Sequence, residues 1–138
     1  MRLSLAAARG AFLVLFIAIT YLTLTPNPDD TEPGFVVTRW LSTALTGNDA
    51  LADKIAHFLC YAALGAMAYF AELRLFSRRW GPWAALCVYG VLLEILQGLG
   101  RVRDPEVADA VANALGTASG LAGAALLAHL VRRVRRAI

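Results

Sequence analysis

VADAVANALGTASGLAGAALLAHLV, residues 107–131, decides the fold. Within it only Asp109 is charged, and the rest is dominated by Ala, Val, Leu and Gly. About 20 apolar residues are enough for an α-helix to cross a hydrocarbon core roughly 30 Å thick, so the run reads as a membrane-spanning helix. Three more stretches have the same character, at approximately 6–24, 55–73 and 81–99. Over the whole chain 59% of residues are hydrophobic and 17% charged, against roughly half and a quarter in soluble domains. The expectation is an all-α, polytopic membrane protein, a four-transmembrane-helix antiparallel bundle in one domain over 1–138. The sequence shows no internal repeat, low-complexity tract or phosphate-binding loop.

Charge placement orients that bundle. Arg2, Arg9, Arg74, Arg78, Arg79, Arg132, Arg133, Arg135 and Arg136 fall on one side, and Arg39, Lys54, Arg101 and Arg103 on the other. The positive-inside rule puts the arginine-rich side, with both termini, in the cytoplasm. The expected location is a bacterial plasma (inner) membrane, crossed several times. Arg2 and Arg9 precede the first apolar run as in a secretory signal, but no small-residue cleavage pattern follows, so this run is read as a retained helix. The net charge of +3 is explained by topology, and no nucleic-acid partner is expected. Trp80 and Trp83 suit the cytoplasmic headgroup belt and Trp40 the outer one. Cys60 and Cys87 fall at different depths on their spans and read as packing residues. Between Pro26 and Asp53, apolar pairs at 36/37, 40/41 and 44/45 predict a short amphipathic helix in the first outer loop.

Against this apolar background a few polar residues stand out. Asp53, His57 and Tyr61 are four apart and share a helix face, beside Lys54. Glu94 and Gln97 share a face near the outer end of the third span, with Arg101 seven residues beyond Glu94. Asp109 and Asn113 share a face at the outer end of the fourth span. With Arg103 in the adjoining loop, all of them fall in the outer third of the membrane. A carboxylate at mid-helix costs about 2.5 to 3.5 kcal/mol on insertion scales, so such a set defaults to a functional reading. Below Asp109 and Asn113, the residues Ala112, Gly116, Gly120 and Ala124 form a small-residue stripe. It suits close packing against another helix of the chain or a homodimer through Gly116 and Gly120.

The chemistry of this set leaves several readings open. His57, Glu94 and Asp109 are candidates for acid and base roles, since imidazole ordinarily titrates near neutral pH and burial raises carboxyl pKa values. No serine nucleophile motif, H-E-x-x-H or phosphate signature accompanies them, which counts against an enzyme. His57 with Glu94 or Asp109 has metal-ligand types without a diagnostic spacing, so no metal and no cofactor is expected. The groups could instead only hold the helices together. Noncatalytic recognition of an envelope molecule is the leading reading, with Lys54 and Arg103 contacting anionic groups of the ligand.

In order along the chain, Asp53-Lys54-x-x-His57-x-x-x-Tyr61-x-x-x-Gly65, then Glu94-x-x-Gln97, Arg103 and Asp109-x-x-x-Asn113-x-x-Gly116-x-x-x-Gly120 resemble the signature of the VanZ-like family of small bacterial integral membrane proteins. Leu24-Thr25-Pro26 also resembles the exit of that family's first helix. Both Arg101 and Arg103 lie near the family's arginine; the spacing of six on either side favours Arg103. The founding member of the family is associated with resistance to teicoplanin. The resemblance therefore implies a lipid-linked or cell-wall ligand, or a glycopeptide, as the partner at the outer face.

Overall fold

The computed structural model describes residues 4–25, 32–100 and 104–137. Five helices account for most of them: α1 (Leu5–Leu24), α2 (Glu32–Thr46), α3 (Ala52–Phe70), α4 (Gly81–Leu99) and α5 (Val107–Ala137). Among the described residues there is no strand, only an isolated bridge between Leu75 and Arg78 in the turn from α3 to α4. The helices start and stop on local signals. Ser4 caps α1 by accepting the Ala7 N–H at 3.1 Å. Gly47, at φ 78°, ends α2 in the left-handed conformation that favours glycine. Pro82 sits in the first turn of α4, where its missing N–H has no intrahelical partner to lose.

Helix α3 is the axis of the molecule and contacts each of the other four, α5 most extensively. Paired residues give the directions. Lys54 meets Asp109, His57 meets Asn113 and Phe58 meets Gly116, so α3 and α5 run parallel. Gly98 lies by Pro105 and Gly90 by Asn113, so α4 runs antiparallel to α5. Arg9 of α1 donates to the carbonyl of Ala71 just past α3, while Gln97 of α4 donates to Thr23 of α1. Helix α1 therefore runs with α4 and against α3.

The glycine stripe makes the α3–α5 contact possible. A Cβ at Gly116 would strike the Phe58 carbonyl, one at Gly120 the Ala62 carbonyl and one at Gly65 the Thr117 carbonyl. Without side chains at these three positions the two backbones approach to van der Waals distance. The stripe thus serves a helix of the same chain, and a homodimer through Gly116 and Gly120 would have to use a face that α3 already contacts.

Among the described residues three helices, α1, α4 and α5, are long and apolar enough to cross a membrane. Helix α3 equals α4 in length but carries Asp53, Lys54 and His57 in its first two turns, which dilute its apolar character. The spans read from sequence at 6–24 and 81–99 match α1 and α4 to within a residue. That at 55–73 is shifted to 52–70, and that at 107–131 extends through the arginines to 137.

Exposure is reversed relative to a soluble protein. Leu13, Val14, Ile17, Val88, Leu115 and Leu126 face outward, all more than half exposed. Asp109, Asn113 and Thr117 are at most 1% exposed. Helix α2 follows the same pattern. Its apolar Val36, Val37, Trp40 and Leu45 point outward, whereas Thr38 and Ser42, four apart, are buried. The amphipathic helix expected from the apolar pairs is present, with its polar face turned toward the protein. Ser42 Oγ donates to the Asn48 carbonyl at 2.9 Å and accepts the Leu51 N–H at 3.1 Å, which ties α2 to the start of α3.

Candidate functional site

Two parallel helices place their first turns side by side, and each first turn carries an aspartate: Asp53 on α3 and Asp109 on α5. The free backbone N–H groups of a helix N-terminus favour negative charge there. Between the aspartates lies the Lys54 ammonium, 3.4 Å from Asp53 Oδ2 and 3.2 Å from Asp109 Oδ1, and also paired with Glu106. One turn along α3, His57 Nδ1 is 3.1 Å from Asn113 Oδ1. An amide oxygen only accepts, so Nδ1 carries the proton of that hydrogen bond. On its other side, Nε2 is 3.8 Å from Asp53 Oδ1 and 3.8 Å from Asp109 Oδ2. Each aspartate thus directs one oxygen toward the lysine and the other toward the imidazole.

Burial makes this cluster consequential. The side chains of Asp109 and His57 are 1% and 11% exposed, those of Asp53 and Lys54 15% and 23%. Ionised groups in such a setting persist only when paired and hydrogen-bonded. Among the described residues Asp109 Oδ1 accepts no hydrogen bond of good geometry, and its compensation is the ion pair with Lys54.

The structure divides the residues singled out in the sequence. Asp53, Lys54, His57, Asp109 and Asn113 come together. Glu94, 6% exposed, lies beside them, with Oε2 accepting the Glu106 N–H at 3.3 Å ahead of α5. Gln97 turns away from the cluster, and its Nε2 donates to the Thr23 carbonyl at 2.7 Å. It fastens α4 to α1, because at that height α1 is the helix beside it. Tyr61 shares the face of Asp53 and His57 but sits a turn lower, in the apolar cluster with Ile19, Leu64 and Leu86, and its buried hydroxyl has no hydrogen-bond partner among the described residues. Lys54, expected to contact an anionic ligand, is already engaged by three carboxylates of its own chain. Arg101 and Arg103 lie outside the described residues.

One contributor was missed in the sequence. Glu106 reads as the end of a turn, yet it pairs with Lys54 and its N–H meets Glu94. Its position three residues before Asp109, on the same helix face once α5 is extended by a turn, was the available signal. Asp53 is singled out in the sequence on the face of His57, but the ligand types read there are His57 with Glu94 or Asp109, without it. One ligand atom from each of Asp53, His57 and Asp109 lies within 4.8 Å of the others.

At the opposite end a groove of about 430 Å³ is lined by Tyr69, Arg79, Trp80, Trp83, Leu121 and neighbouring alanines of α5. Trp83 Nε1 donates to the Ala114 carbonyl at 3.1 Å, and the Arg78 guanidinium lies over the Trp80 ring at 5.7 Å. Both cysteines are free thiols. In comparisons with known proteins, no family model, curated protein or solved structure matches the chain.

Proposed function

We propose that this chain is a VanZ-like protein of the bacterial plasma membrane that recognises a cell-envelope component through the polar cluster. The observation that carries the reading is the reversal of polarity: charged and amide side chains are buried at one end of helices whose outer faces are apolar. In this reading α1, α3, α4 and α5 all cross the bilayer, α3 being accepted because its polar face is turned onto α5. The arginine-rich end, with both termini, lies in the cytoplasm and the cluster in the outer third of the membrane. Arg103 supplies the cation for an anionic group of the ligand, and Glu94, Asp109 and Asn113 supply directional hydrogen bonds. The ligand is a lipid-linked saccharide, a cell-wall peptide or a glycopeptide such as teicoplanin.

A deletion strain should show an altered lipid-linked precursor pool, cell-wall composition or teicoplanin susceptibility. Restoring the gene with Glu94→Gln or Arg103→Ala should fail to reverse the change while membrane abundance of the protein stays normal. Loss of folded protein in parallel with loss of phenotype in every variant would instead assign the cluster to holding the helices together.

A second reading is favoured by the approach of His57 to two carboxylates: an enzyme acting on a lipid-linked substrate, with His57 as the proton-transfer group. It requires a chemically altered lipid product. Identical lipid extracts with and without the gene would remove it.

A further inference from the structure

We infer that Asp53, His57 and Asp109 form a binding site for a divalent transition-metal ion of the zinc class. The donor set is mixed nitrogen and oxygen, the kind these ions take from proteins. Its geometry is that of a tripod. His57 Nε2 stands 3.8 Å from Asp53 Oδ1 and 3.8 Å from Asp109 Oδ2. Metal bonds of about 2.0 to 2.2 Å give tetrahedral edges of roughly 3.4 Å, so closing on an ion shortens each of these sides by a few tenths of an ångström.

The groups around the tripod hold it in a ligating state. Asn113 Oδ1 accepts from His57 Nδ1, so in the ligating tautomer it is the Nε2 lone pair that faces the two carboxylate oxygens. A hydrogen bond from the remote ring nitrogen is the usual outer-shell support of a metal-bound histidine. Lys54 binds Asp53 through Oδ2 and Asp109 through Oδ1, so the oxygens that it leaves are the two that face the imidazole. The lysine therefore braces the ligands from behind and need not be displaced. Asp109, 1% exposed, points into the tripod, with Oδ2 3.8 Å from His57 Nε2. An ion at that point would be held by three bonds, one from each side chain.

The inference rests on cluster geometry and not on the envelope-ligand reading. Metal uptake is measured on purified protein with no envelope component, whereas the ligand reading is tested in cells, so either can fail alone. The full chain in detergent, stripped with a chelator and dialysed, is titrated with Co²⁺ and with Zn²⁺, and bound metal is counted by mass spectrometry. The expected result is one ion per chain, with visible cobalt absorption that Zn²⁺ abolishes. His57→Gln and Asp109→Asn should each lose it, Asn113→Ala should weaken it about 10- to 100-fold, and Tyr61→Phe should leave it unchanged. Should Asp109→Asn fail to fold, His57→Gln decides, because it leaves the aspartate–lysine pairs in place. No stoichiometric metal in the wild type, or undiminished binding in His57→Gln, would overturn the inference.

Discussion

The two halves of the α3–α5 seam are built on opposite principles. In the half that begins both helices, side chains meet: Lys54 and His57 reach across to Asp109 and Asn113. In the lower half side chains are removed, and Gly116, Gly120 and Gly65 let backbone lie on backbone. The upper half is held by charge and hydrogen bonds whose net worth is reduced by the cost of burying them. The lower half is held by dispersion between closely fitted surfaces, which has no such cost. The difference shows that the seam's stability and its chemistry are assigned to different turns of the same helices.

That division predicts unequal responses to substitution. Gly120→Ile should have the largest effect, because the Ala62 carbonyl is backbone and cannot swing aside. Overpacking ordinarily costs about 1–3 kcal/mol, and this loss should reach or exceed the top of that range in an unfolding titration in detergent. A stability close to wild type would mean that the helices are not pressed together there. Lys54→Met should come next, at roughly 1–3 kcal/mol, since it strips a partner from three carboxylates while remaining 23% exposed in the wild type. Raising the salt concentration should change this loss and leave that of Gly120→Ile unaltered.

Asn113→Ala should cost less, about 0.6 to 1.7 kcal/mol, the range of single polar contacts between membrane helices. A larger loss would make the amide a structural member of the lower half as well. Tyr61→Phe marks the boundary between the halves. Its hydroxyl is buried without a hydrogen-bond partner among the described residues, so removing it should leave stability unchanged or raise it by about 1 kcal/mol. A clear loss in the same titration would place Tyr61 with the charged half.

Much of this seam is legible in the sequence. The spacing of four in Asp53/His57 and in Asp109/Asn113 fixes two polar faces, and Ala112/Gly116/Gly120/Ala124 fixes the surface beneath one of them. Alternating direction of the spans, read from loop lengths and arginines, brings those faces to a common height. What spacing cannot supply is rotation about the helix axis relative to several neighbours at once. Gln97 follows Glu94 by three residues and points at α1, a helix 74 residues earlier, because α1 happens to lie beside that edge of α4. Tyr61 obeys the same period as Asp53 and His57, yet one turn of depth moves it from a polar setting to an apolar one. The inward polar face of α2 was hidden for a related reason: Ser42 gains its meaning from Asn48 and Leu51, which lie in the turn it stabilises.

The distance in sequence between His57 and Asn113 is 56 residues, and it has a consequence for how the protein is made. At a synthesis rate of 5–20 residues per second, α5 leaves the ribosome roughly 3 to 11 s after α3. During that lag the charges of α3 have none of their α5 partners. In the proposed four-span arrangement α3, which does not qualify as a span by its own composition, would therefore wait at the translocon, or sit shallowly in the membrane, until α5 arrives to admit it. Insertion of α3 would in this sense be a posttranslational event directed by α5, and on that proposal a chain stopped before Val107 should leave Lys54 open to aqueous labelling reagents from the side it never crossed.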